Sequence, residues 1–87
     1  MNTLIISTFD CTFEEFEKEV KEVFIERLAK DSCDGYEFVK INDHKAHTFL
    51  NVTDFDGFCS SLECDEAKEW DKANNCQDTV YKIELVE

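Results

Sequence analysis

The chain has 87 residues, of which 21 are Asp or Glu and nine Lys or Arg, for a formal charge of −12. That length holds one domain with one core, spanning residues 1–87. The basic residues are scattered singly among acids, which excludes a nucleic-acid or anionic-lipid surface, and the absence of Pro with only two Gly excludes a disordered or linker composition.

Eight Phe, two Tyr and one Trp supply the large buried areas that a small core needs. No apolar run reaches the ~18–20 residues of a membrane span. Met1–Ile6 has neither the basic start nor the length of a signal peptide, so a cytoplasmic protein is expected. Cys11, Cys33, Cys59, Cys64 and Cys76 make an odd set without a CxxC pair. They read as small, partly buried apolar residues in a reducing compartment, with neither a disulfide framework nor a zinc site.

In chain order, Thr3–Phe9 is β-branched and apolar on both alternating faces, so a strand covered on both sides is expected. Thr12–Phe13–Glu14–Glu15 is a capping box opening a regular helix to about Lys30. Phe13, Phe16, Val20, Val23, Phe24 and Leu28 form its apolar stripe, and Glu14–Lys18, Glu17–Lys21 and Glu26–Lys30 stand at i,i+4. Glu17 and Arg27 intrude near the stripe; an arginine there could hold a carboxylate or phosphate. Gly35 suits the turn out of the helix.

Tyr36–Ile41 and Ala46–Val52 then alternate as two strands of a hairpin turning at Asn42–Asp43–His44–Lys45, again with no wholly polar face. Thr53 or Asp54 caps a short helix carrying Phe55, Phe58, Cys59 and Leu62. Ser60–Ser61–Leu62–Glu63 offers a second capping box, so a jog and a longer helix to Asn74 are expected, with Ala67, Trp70 and Ala73 inward. Asn74–Asn75 ends it, and Thr79–Val86 closes the chain as a strand. The predicted order is β-α-β-β-α-β, an α+β ferredoxin-like arrangement with a four-stranded antiparallel sheet.

Strand, capped long helix, hairpin, broken second helix with Glu69–Trp70–Asp71 and closing strand together resemble the dimeric α+β-barrel superfamily, which includes the antibiotic-biosynthesis monooxygenases. The resemblance covers nearly the whole chain. It implies a homodimer whose sheets face one another, which would cover the second apolar face of each strand. The haem-degrading members use an Asn on the first strand with a Trp and a His. Asn2 and Trp70 are near matches, but no His follows Trp70, so the catalytic set does not carry over and no cofactor is expected.

Of the remaining candidates, His44 and His47 stand three apart on a hairpin and point to opposite faces, which argues against a shared metal. His47 alone could serve as an acid or base. Asp54-x-Asp56-Gly57 lacks the other ligands of a calcium loop and reads as a helix cap. The reading that follows is a binding module holding a small apolar or aromatic ligand between the second helix and the sheet. Trp70, His47, Phe49 and Phe58 are its expected lining. A cofactor-independent monooxygenase-like enzyme using His47 or Tyr81, and an acidic protein-interaction module without a ligand, are the alternatives.

Overall fold

The computed structural model describes residues 1–86. Strand β1 (Thr3–Thr8) leads into helix α1 (Phe13–Glu19), which continues as a π-helix over Val20–Leu28. The hairpin β2 (Cys33–Asn42) and β3 (Lys45–Val52) follows, then helices α2 (Phe55–Leu62) and α3 (Asp65–Ala73) and strand β4 (Gln77–Lys82). The strands form one antiparallel sheet in the order β2-β3-β1-β4. The expected α+β class and four-stranded antiparallel sheet are present.

The N-cap at Thr12 forms: its hydroxyl accepts from the Glu15 amide and donates to the Glu15 carboxylate, each at 3.2 Å. Beyond Glu19 the helix departs from the expected regular form. The Ala29 amide donates to the Phe24 carbonyl at 2.7 Å, five residues back, the π spacing. This wider winding turns Ile25, outside the predicted stripe, into the core at 7% exposure. It also removes the i,i+4 alignment on which the Glu17–Lys21 and Glu26–Lys30 pairs depended. Arg27 instead pairs with Glu66 on α3, and Lys40 lies 3.1 Å from Asp43 and 3.8 Å from Glu14.

Asp54 caps α2 by accepting from the Gly57 amide at 3.2 Å. The second capping box does not form. Ser61 turns back to the Gly57 and Leu28 carbonyls, each at 2.9 Å, and Cys64, at the N-cap of α3, makes no side-chain capping bond. Asn75 takes a left-handed φ of 48° after α3, as the Asn pair predicted. Strand β4 stops at Lys82, four residues earlier than expected, and Ile83 donates to the Asn2 carbonyl instead.

Gly57 shows that helix propensity can lose to packing. A Cβ there would lie 2.6 Å from Ser32 Oγ and 2.7 Å from Asp54 Oδ2, the capping carboxylate. Alanine usually favours a helix by about 1 kcal/mol over glycine. Displacing the cap and the buried Ser32 costs about 2 kcal/mol, which outweighs it. Gly57→Ala is therefore expected to lower stability by about 1 kcal/mol in urea unfolding, whereas propensity alone would raise it.

The helices cover one face of the sheet. Thr3, Ile5 and Ser7 of β1 and Ala46, Thr48, Leu50 and Val52 of β3 point to that face and are buried. Two apolar clusters form there. One joins Ile5, Ile25, Ala29, Leu50, Val52 and Phe58; the other joins Phe9, Phe13, Phe16 and Ala46, with Trp70 packed against it. Partly buried Val20 and Phe38 touch both. The opposite sheet face, with Leu4, Ile6, Val39, His47, Phe49 and Tyr81, has no helix over it among the described residues.

Candidate functional site

Where the two clusters meet, the core does not close. A cleft opens between the sheet, the α1–π helix and α3, lined by Phe16, Val20, Phe24, Leu62, Ala67 and Trp70. It encloses about 60 Å³, against the roughly 10–15 Å³ that one water needs by the same measure. The π-helix supplies Val20, Val23, Phe24 and Leu28 to the wall. Segments of this kind are rare and concentrate at functional sites.

The sheet provides a polar track across the cleft. Thr48 on β3 pairs with Ile5, Ser7 on β1 pairs with Ala46 on one side and Asp78 on the other, and all point to the helices. Ser7 Oγ donates to Asp78 Oδ1 at 2.6 Å, and the Cys76 thiol lies 3.5 Å from the same oxygen. Thr48 Oγ1 is buried with no hydrogen-bond partner among the described residues. Asp71 of α3 completes the group: one donor atom each from Asp71, Cys76 and Asp78 lies within 4.8 Å of the others.

Burial raises the Asp71 carboxyl to about 6, with Asp78 adding to the rise and a bond from Cys76 opposing it. Burial, then the charges of Asp78 and Asp71, pushes the Cys76 thiol up strongly, so it stays protonated and is no nucleophile at neutral pH. Cys11 and Cys33 are raised as well, by burial first and then by Glu15 and Asp34 respectively.

The shift at Asp71 has a sign. Its folded value lies above the unfolded 3.8, so the folded chain holds more protons between those limits. The associated stability is full below about pH 4 and is lost as pH rises through about 6. Solvent reaches part of the carboxyl, which reduces the effect to about 1–2 kcal/mol. Asp71→Asn is expected to stabilise the protein more at pH 7.5 than at pH 4. Denaturant melts at the two values would show it, and an equal gain at both would refute it.

The structure splits the expected lining residues. Trp70 lies in the cleft, its ring 6.2 Å from that of Phe16. Phe58 faces the same layer but is 1% exposed, packed edge-on to Phe24 at 5.9 Å as solid core. His47 and Phe49 are on the other face of the sheet, paired with Ile6 and Leu4, because strand alternation separates them from Thr48 and Leu50. Arg27 is exposed and held by Glu66, so Glu19 is the acid of the first helix that borders the cleft.

Asn2 is occupied structurally. Its side chain donates to the Val52 carbonyl and accepts from the Val52 amide, both at 2.8 Å. His44 sits in the hairpin turn, with Nδ1 3.0 Å from the Cys11 carbonyl. Ser7, Thr48, Asp71, Cys76 and Asp78 went unread as a site. The signals were two hydroxyls on otherwise apolar strand faces and a Cys-x-Asp pair just after a helix.

No protein-family model matches the chain, and no curated protein matches it. Among solved structures, its fold is similar to that of HapK from Hahella chejuensis. That crystal structure aligns with a TM-score of 0.56 at 15% identity, over 97% of this chain and 92% of HapK. At that identity the likeness is one of fold.

Proposed function

We propose that this chain is a small-molecule binding protein whose cleft takes a ligand with an apolar, aromatic body and a hydrogen-bonding group. The orphaned Thr48 hydroxyl at the floor of this largely apolar cleft carries this reading. A buried hydroxyl without a partner costs about 1–3 kcal/mol, a cost that a bound molecule would relieve. Trp70, Phe16 and Phe24 offer ring faces for its body. A ligand screen by thermal shift, using planar aromatics with one hydroxyl or carbonyl, is expected to give stabilisation that Trp70→Ala weakens. A screen without any stabilisation refutes it.

The fold is proposed to be ferredoxin-like, of the dimeric α+β-barrel type. The uncovered sheet face supports this. Val39 and Tyr81 are 37% and 47% exposed there, beside half-buried Leu4, Ile6 and Phe49. A second copy is the fitting occupant, because this face carries few charges while the chain has a net −12, so two copies repel least through it. Light scattering should give twice the 10.2 kDa chain mass, and Ile6→Lys should return a monomer. A monomer of the unsubstituted chain at micromolar concentration would end the proposal. A monooxygenase-like enzyme draws less support, since His47 and Tyr81 lie across the sheet from the cleft.

A further inference from the structure

Among the described residues, the charged side chains lining the cleft are all acidic: Glu19, Glu66, Asp71 and Asp78, with Glu66 paired to Arg27 just outside it. Asp71 and Asp78 converge, each presenting an oxygen within 4.8 Å of the other. A nitrogen donor needs acceptors at about 2.8–3.0 Å, so one ammonium can bridge both. The Thr48 hydroxyl, buried and unpartnered, faces the same cleft from the sheet. Trp70, Phe16 and Phe24 line the same cleft.

From this convergence, deepening the binding reading above, we infer that the ligand is a cationic aromatic amine. Its ammonium is held by Asp71 and Asp78, its ring lies against Trp70 and Phe16, and a far polar group meets Thr48. An anionic ligand is disfavoured at two levels. It would face Glu19, Asp71 and Asp78 locally, none of them paired with a base, and the field of a −12 chain at long range. A neutral aromatic of the same shape would fill the apolar wall but make no charge-assisted bond to the two carboxylates.

Three probes of one shape separate the contributions: tyramine, 4-ethylphenol and 3-(4-hydroxyphenyl)propionate, titrated calorimetrically with EDTA present. Tyramine is expected to bind about tenfold or more tightly than 4-ethylphenol, as charge-assisted bonds give, and the propionate most weakly. Thr48, Ser7, Cys76, Asp78, Glu66 and Glu19 are the polar groups lining the cleft with Asp71, and none is basic; Arg27, paired with Glu66, lies outside the cleft. Tyramine affinity should therefore fall from pH 7.5 to pH 5 as Asp71 takes up its proton near 6, with proton release on binding.

Asp71→Asn should shrink the tyramine advantage and its pH dependence while leaving 4-ethylphenol unchanged. Equal binding of tyramine and 4-ethylphenol would overturn the amine inference but leave the binding reading standing. So would an advantage that survives Asp71→Asn. No binding by any of the three would defeat both.

Discussion

Phe16→Ala is expected to cost about 3–5 kcal/mol of folding free energy, the range for emptying a fully packed phenylalanine site. Phe16 is 2% exposed and stacks on Phe9, ring centroids 4.2 Å apart at an interplanar angle of 7°. It also meets Phe38 edge-on at 6.4 Å. Such ring pairs add about 0.5–1.5 kcal/mol each to the loss of buried area. Domains of this size are stable by about 5–15 kcal/mol, and short chains bury proportionally less surface, so the variant should sit near its unfolding threshold. Because Phe16 also borders the cleft, alanine would enlarge that cleft, and the loss depends on how far its neighbours collapse into it. Chemical denaturation should show the loss, with Leu85→Ala as the control, since Leu85 is 85% exposed and should change stability by less than about 0.5 kcal/mol. A Phe16→Ala loss under about 1.5 kcal/mol would mean that Phe9, Phe38 and Trp70 move in to fill the space.

Phe16 also marks how far the sequence could be read. Its place in a helical stripe beginning at a Thr12–Glu15 box was legible, because capping and 3.6-residue periodicity are local. The hairpin was legible for the same reason, down to the turn at Asp43–His44. The π-winding was not. Nothing in Val20–Leu28 marks the point where hydrogen bonds shift from four residues to five, since that choice is settled by packing Ile25 and Ala29 against the sheet. The same limit misplaced the site. Phe49 and His47 share one face of β3 and Thr48 lies on the other; neither face is wholly polar in sequence, and which one meets the helices depends on register. Register put Thr48 inside and its neighbours outside. The Asp71–Cys76–Asp78 group depends on a further long-range fact, that β4 pairs beside β1 and brings Asp78 to Ser7.

That register yields two substitutions with opposite expected signs. Ser7 and Thr48 lie on the same sheet face, on adjacent central strands, and both hydroxyls are buried at 1% residue exposure. Ser7 is satisfied, donating to the Asp78 carboxylate at 2.6 Å, so Ser7→Ala should destabilise by about 1.5–3 kcal/mol, the range for a hydrogen bond to a charged group. Thr48 has no partner. Valine keeps its β-branched shape and strand preference while removing the unpaired hydroxyl, so Thr48→Val should stabilise by about 1–2 kcal/mol in the unliganded protein. A destabilised Thr48→Val would mean that water already satisfies the hydroxyl in solution, and the main support for the ligand reading would go. If stability rises while hydroxyl-bearing aromatics bind less tightly, the position holds an unpaired polar group at the expense of the free protein, for a partner that arrives only on binding. A hydroxyl retained against stability inside an apolar wall is the behaviour of a binding site, and Ser7 beside it supplies the internal reference for a hydroxyl retained for the fold.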